Sequence, residues 1–298
     1  MKIRIGTRGS RLALYQATLV QTLLKDAGHE GEIVTIVTQG DRVQDQLLVE
    51  LGGKGLFVKE IEDALLKGTC DIAVHSLKDV PYYIPSGLAL HTFLPREDPR
   101  DVFVGADGPF ETLPKKSRVG TGSLRRAVQV KRLRPDLEIV PIRGNVETRL
   151  KKIKSERLAG VVLAYAGLKR LGLDHQITSV FSPFEVIPAV GQGVIAVEHR
   201  KDAAVVCDLL DALNDRDTAR AVLAERQFLE MVEGSCKVPM GGYCVAKDEG
   251  HHMIAFVASS DGKGFLKTEA IGDNPRELGT AVAEELIRRG ARKLLEDK

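Results

Sequence analysis

Long apolar stretches are missing from this sequence. The longest, LAGVVLAYAGL at 158–168, is far short of the roughly 20 residues that a membrane span requires. The N-terminal MKIRIGTRGSRLALYQA lacks the unbroken apolar core of a secretion signal. A cytoplasmic location is expected, with no membrane partner. Cysteine is scarce too, at four in 298 residues. Structural disulfides are rare in a reducing compartment, which argues against a bridge between Cys236 and Cys244 in the loop VEGSCKVPMGGYC (232–244). With His251 and His252 these cysteines make a two-Cys, two-His set. Seven residues separate them, however, where zinc sites place two to four, so no metal is expected. Aromatic residues are lacking where positive charge is densest. From Lys115 to Arg157 there are fourteen Lys/Arg against four Asp/Glu, yet no Phe, Tyr or Trp occurs from Glu111 to Ala164. Without stacking platforms this basic stretch suits small carboxylates or phosphates better than nucleic acid. The whole chain carries only 43 − 41 = +2, so it has no strong overall field for a polyanion.

At 298 residues, two or three domains are expected. The content of 43% hydrophobic and 28% charged residues is that of a globular protein. In the first half, β-like and helix-like segments alternate. IRIGT (3–7) reads as a buried strand. SRLALYQATLVQTLLKDAG then places Leu12, Tyr15, Leu19, Leu23 and Ala27 on one helical face. EIVTIVTQ (32–39) and DIAVHSL (71–77) read as strands flanking the helix FVKEIEDALLKG. Such alternation predicts a mainly parallel sheet covered by helices. The pattern restarts at RVGTGS (118–123), continues through LRRAVQVKRLR, EIVPIRG and NVETRLKKIKSE, and reaches the buried strand GVVLAYAG. Ile5-Gly6-Thr7-Arg8-Gly9-Ser10 and Val119-Gly120-Thr121-Gly122-Ser123 each read strand, Gly-Thr, Ser, helix. Two similar α/β lobes are expected, with PREDPRDVF (95–103) as a linker. After Asp217 come a long helix, a hairpin of MIAFVAS and GFLKTEAI, and a final helix from Pro275 to Gly290. Together they predict a small α+β domain.

A strand that turns through Gly and Ser into a helix directs backbone N–H groups outward at the positive end of the helix dipole, a ready anion site. Two such turns occur, at Ser10 with Arg8 and Arg11, and at Ser123 with Arg125 and Arg126. Arg143-Gly144-Asn145, with Arg149 beyond it, forms a third cluster. Arginine's planar fork suits bidentate pairing with carboxylate. The alternative is that both serines are ordinary caps and the arginines a solvated face. His75-Ser76-Leu77-Lys78-Asp79-Val80-Pro81 ends a strand, where ligands gather in open α/β sheets. Asp79 beside Lys78 is a candidate acid–base group or counter-ion; the alternative is a turn salt bridge. Asp41 to Gly55, polar and then glycine-rich, reads as a mobile lid or a plain surface loop.

GTRGSRLAL, GGKGLFVKEIE, DIAVHSLKDVP, REDPRDVF, VGTGSLRRAVQ, RGNVETRL, LAYAGLKRLG, PAVGQG and GSCKVPMGG resemble, in order, the pattern of the porphobilinogen deaminases, or hydroxymethylbilane synthases. The resemblance runs from about residue 3 to 245, with the last fifty residues looser. It implies two lobes like those of type II periplasmic binding proteins, 1–96 with 194–214 and 100–190, and a third α+β domain at 217–298. It implies a monomeric transferase that condenses four porphobilinogen molecules head to tail with release of ammonia. Growth starts on a covalent dipyrromethane cofactor, carried over to Cys236. Loss of ammonia leaves an electrophilic azafulvene carbon, which a thiolate is well suited to capture. The family's catalytic aspartate falls on Asp79. Cofactor contacts fall on Lys78, Asp79, Thr121, Ser123, Arg125, Arg126, Arg143 and Gly144, and substrate contacts on Arg8, Ser10, Arg149 and Gln192. Cys70, Cys207 and Cys244 have no such assignment and read as small packing residues. Arg11 and Ser235 take positions often held by proline and glycine. A non-catalytic bilobal carboxylate-binding protein would explain the arginines but leave Asp79 and the Cys236 loop without a task.

Overall fold

The computed structural model describes residues 1–42, 57–106, 108–233, 238–247 and 250–296. The first 97 residues contain β1 (Lys2–Thr7), α1 (Arg11–Asp26), β2 (Glu30–Thr35), α2 (Gln39–Arg42), α3 (Lys59–Leu66), β3 (Ile72–Ser76), a 3-10 turn at Leu77–Asp79 and β4 (Leu88–Phe93). Then come β5 (Asp101–Gly105), β6 (Arg118–Thr121), α4 (Leu124–Leu133), β7 (Glu138–Pro141), α5 (Val146–Ser155), β8 (Gly160–Ala164), α6 (Tyr165–Arg170) and β9 (Ser179–Val180). The remainder holds β10 (Ile195–Arg200), α7 (Ala204–Leu213), α8 (Arg216–Met231), β11 (Met240–Lys247), β12 (Gly250–Ala258), β13 (Phe265–Gly272), α9 (Pro275–Arg288) and α10 (Ala291–Glu296). The chain divides into two units, Met1–Glu97 with Val194–Ala219 and Asp98–Gly193 with Arg220–Lys298.

In the first unit the sheet order is β2-β1-β3-β10-β4. β1 runs parallel to β2 and β3, and β10 antiparallel to β3 and β4. Strand alternation decides which helix each residue meets. Ile3, Ile5, Ile72 and Val74 pack with Ala17, Val20 and Leu24 of α1 and with Val206 and Leu210 of α7. Ala73 turns to the other face, against Ile61, Ala64 and Leu65 of α3.

The second unit repeats this plan as β7-β6-β8-β5-β9, with β6 parallel to β7 and β8 and β5 antiparallel to β8 and β9. The two Gly-Thr turns occupy equivalent places, each ending the second strand from a sheet edge. Each sheet also takes one antiparallel strand from chain that has just arrived from the other unit, β5 after residue 97 and β10 after residue 193. The segment 95–103 is therefore not linker throughout. Asp101, Val102 and Phe103 begin β5 and are fully buried, because β5 lies inside its sheet. GVVLAYAG likewise ends as a strand at Ala164, and Tyr165 opens α6.

The C-terminal strands form the meander β11-β12-β13. Met253, Ala255 and Val257 face Phe228 of α8 and Leu278, Val282 and Leu286 of α9. Ile254, Phe256 and Ala258 face the opposite way and join Val128 of α4 and Ile187. This small sheet thus has a core on both faces. Among the described residues no helix is long and apolar enough to cross a membrane.

Candidate functional site

In the first unit, a cavity of about 70 Å³ opens at the carboxyl ends of β1 and β3. Arg8, Ser10, Gln16, His75, Ser76 and Asp79 line it. Ser10 caps α1, its Oγ accepting from the Ala13 N–H at 3.3 Å. Arg8 pairs with Asp41, donating from Nε to both carboxylate oxygens at 3.2 Å, and its guanidinium lies 4.3 Å from the Phe57 ring centroid. Burial alone would raise the Asp41 carboxyl. Hydrogen bonds from Arg8 and Thr38 outweigh burial and hold it below its ordinary value. Lys78 and Asp79 stand on the 3-10 turn that ends β3, Lys78 half-buried and Asp79 exposed. Of the 41–55 segment, residues 43–55 lie outside the described residues.

In the second unit the β6 and β7 ends are joined by the Ile142 N–H donating to the Thr121 carbonyl at 3.2 Å. This brings Thr121-Gly122-Ser123 beside Arg143-Gly144. Gly122 permits the approach, since a Cβ there would stand 2.4 Å from the Ile142 carbonyl oxygen. Gly144 takes φ +108, a left-handed conformation that disfavours a side chain. Arg149 reaches back from α5, its Nε donating to the Gly144 carbonyl at 2.8 Å. Ser123 occupies the N-cap position of α4, but its hydroxyl makes no cap bond. Arg143 Nη2 is buried with no acceptor among the described residues. A buried donor left unmet costs about 1–3 kcal/mol, so an acidic group held here would gain from it. The residues fit a carboxylate-bearing cofactor.

Arg125 and Arg126 lie elsewhere than a solvated face. Both are about 5% exposed and close on Asp101, which is fully buried. Asp101 Oδ2 accepts from Arg125 Nη1 at 2.6 Å, and Oδ1 from Arg126 Nε at 2.9 Å and Nη2 at 2.8 Å. Gln192 Nε2 donates to the same Oδ1 at 2.9 Å and to the Pro99 carbonyl at 2.6 Å. Burial would raise the Asp101 carboxyl, but the two guanidinium charges dominate and hold it well below the usual carboxylate range. Two positive charges against one leave the cluster with a surplus of one. Much else of the basic stretch is spent internally: Arg118 donates to the Glu156 carbonyl, Lys131 to the Leu137 carbonyl, and Arg134 to Asp136 and the Leu113 carbonyl.

Cys236 lies outside the described residues, so only its flanks are described. α8 ends at Met231, the chain is described as far as Glu233, and it is described again from Val238, two residues before β11. β11 is fastened to the segment that follows β9 through the Gly242 N–H, which donates to the Pro188 carbonyl at 3.1 Å. Cys70 and Cys244 are buried, and Cys207 is half-buried with its Sγ 3.5 Å from His199 Nδ1. Sequence reasoning missed Asp101, hidden inside an apparent linker. It also missed Gln16, whose Nε2 donates to Ser76 Oγ at 2.8 Å. The sequence pattern placed Leu12, Tyr15, Leu19, Leu23 and Ala27 on one face of α1, whereas the helix buries Gln16, Ala17, Val20 and Leu24 and leaves Tyr15 and Ala27 exposed.

Residues 3–208 match the family model described as "Porphobilinogen deaminase, dipyromethane cofactor binding domain", and residues 219–288 match "Porphobilinogen deaminase, C-terminal domain". A curated porphobilinogen deaminase of Exiguobacterium sp. is 48% identical, covering 99% of this chain and 98% of its own. That of Alkaliphilus metalliredigens is 46% identical, covering 99% and 95%. Among solved structures, the methionine binding protein MetQ is 15% identical with a TM-score of 0.45, covering 73% of this chain and 91% of that one.

Proposed function

The chain belongs to the porphobilinogen deaminase family, and on that premise we propose how its own residues divide the work. The reaction joins the aminomethyl carbon of one porphobilinogen to the free α-carbon of the preceding pyrrole. Ammonia leaves at each of four such additions, and hydrolysis then breaks the bond to the primer, water supplying the hydroxyl of the released hydroxymethylbilane and the proton left on the primer's α-carbon. The dipyrromethane cofactor, carried on the Cys236 thiol, supplies the first free α-carbon. Its acidic side chains would be held by donors of Thr121, Ser123, Arg143 and Gly144, Lys78 is a further donor for them, and Asp79 accepts from its pyrrole N–H groups. Arg125 and Arg126 contribute their surplus positive charge, being themselves oriented by Asp101. Arg8, Ser10 and Arg149 receive the acetate and propionate groups of incoming substrate, whereas Gln192, expected to touch substrate, is fully buried with its amide N–H groups donated to Pro99 and Asp101 and serves to hold the arginine cluster. Asp79, exposed at the mouth of the first unit's cavity, balances the cation left on the substrate when ammonia departs and accepts the proton released as the new bond forms.

The observation that carries this reading is the cradle of Gly122, Ser123, Arg143 and Gly144, whose buried Arg143 Nη2 has no acceptor among the described residues. A carboxylate is the partner that such a donor calls for. The protein acts as a cytoplasmic monomer of three domains, 217–298 being the third, with a small-molecule substrate. Internal engagement of Arg118, Lys131 and Arg134 speaks against nucleic acid as a partner. Intact-mass spectrometry of the purified protein tests the reading. One dipyrromethane adduct is expected on the peptide containing Cys236, absent from Cys236→Ser and retained in Cys244→Ser. An unmodified Cys236 in fully active protein would overturn it.

A further inference from the structure

We propose that His75 is an additional substrate-binding residue of the first unit's cavity, held by Glu198 as the Nε2–H tautomer so that its Nδ1 lone pair accepts a hydrogen bond from a porphobilinogen N–H. Glu198 is the positioning residue behind it. The inference rests on that cavity being the substrate site. Neither residue has a role in the reading above.

β3 and β10 pair antiparallel with His75 opposite Ala196, so Glu198, two residues along β10, shares a sheet face with His75. His75 Nε2 lies 3.1 Å from Glu198 Oε2, and both side chains are buried. A carboxylate can only accept, so Nε2 carries the hydrogen and a neutral ring keeps its lone pair on Nδ1. Nδ1 has no partner among the described residues, and His75 lines the cavity together with Arg8, Ser10 and Asp79. Arg8 and Ser10 offer donors for acidic groups. A pyrrole N–H and an aminomethyl group need acceptors, and His75 provides one beside Asp79.

The second oxygen of Glu198, Oε1, is fully buried and also unpartnered among the described residues. It calls for a donor, such as the amino or pyrrole N–H of a bound ligand or a water held in the cavity.

Steady-state kinetics on cofactor-loaded variants separate this role from a purely structural pair. His75→Gln keeps an N–H towards Glu198 but has nothing at the Nδ1 position, and KM should rise roughly 5- to 100-fold. His75→Asn places an amide oxygen near Nδ1 and should recover part of that loss. Glu198→Gln can donate to Nε2 and turn the tautomer over, so KM should rise there too. Nitrogen-15 NMR of the wild-type holoenzyme should show His75 protonated at Nε2 and bare at Nδ1. A wild-type KM in His75→Gln, or an Nδ1–H tautomer, overturns the proposal. If Arg8→Leu and Asp79→Asn lower activity while His75→Gln does not, only the role of His75 fails. If all three behave as wild type, the cavity assignment fails with it.

Discussion

Replacing Asp101 with Asn removes the negative charge at the centre of the second unit while keeping the side chain's size. In the wild type four N–H groups, from Arg125, Arg126 and Gln192, converge on this carboxylate at 2.6–2.9 Å. Asn offers one oxygen in place of two and turns an NH₂ towards those donors. Two guanidiniums, each about 5% exposed, lose their counter-charge. Removing one partner of a buried pair costs about 3–5 kcal/mol, or roughly 10²- to 10⁴-fold in the opening equilibrium. Hydrogen exchange read by mass spectrometry measures that equilibrium locally. Peptides of β5, α4 and β8 should exchange faster by that factor, and turnover should fall because Gln192 and both arginines lose their anchor. The pH dependence has a definite sign. The folded carboxyl lies far below its unfolded value, so its stabilisation is full above about pH 4 and is lost as pH falls further. Asp101→Asn should lack this acid-sensitive component. Exchange in those peptides within about threefold of wild type would refute the reasoning, since a buried pair worth that little falls outside the range for such sites.

Asp79→Asn should lower turnover by about 10²-fold or more while the protein still carries its cofactor, because assembly is needed only once per molecule; an assay and an intact mass on one preparation check this. Arg143→Leu should leave the melting temperature within a few degrees, as its Nη2 has no protein partner among the described residues, yet reduce cofactor loading in the mass spectrum. Cys70 is buried and its thiol is pushed up to about 11, by burial first and then by Asp71. Alkylation of Cys70 in the native protein at pH 8 should be at least about a hundredfold slower than in the unfolded chain, as timed by peptide mass mapping.

The linear order of residues was enough to determine the local elements and the chemistry they bear. Period-3.6 and period-2 patterns located α1, α3, α4, β1 and β3, because those segments each bury one face or lie wholly inside a sheet. The repeat was legible in the Gly-Thr…Ser turns, since strand-to-helix geometry is local. What the sequence left hidden depends on which strands become neighbours. Asp101 looks like linker charge until β5 is inserted between β8 and β9, after which it is fully buried and must be neutralised by the nearest cations, Arg125 and Arg126. Those arginines look solvated in sequence because nothing near them in the chain shows the carboxylate 24 and 25 residues away. His75 and Glu198 stand 123 positions apart, and only the antiparallel return of β10 beside β3 makes them a pair. Local sequence sets propensity and side-chain chemistry, whereas burial, and with it the cost of every unpaired charge, is set by the sheet order that tertiary packing selects.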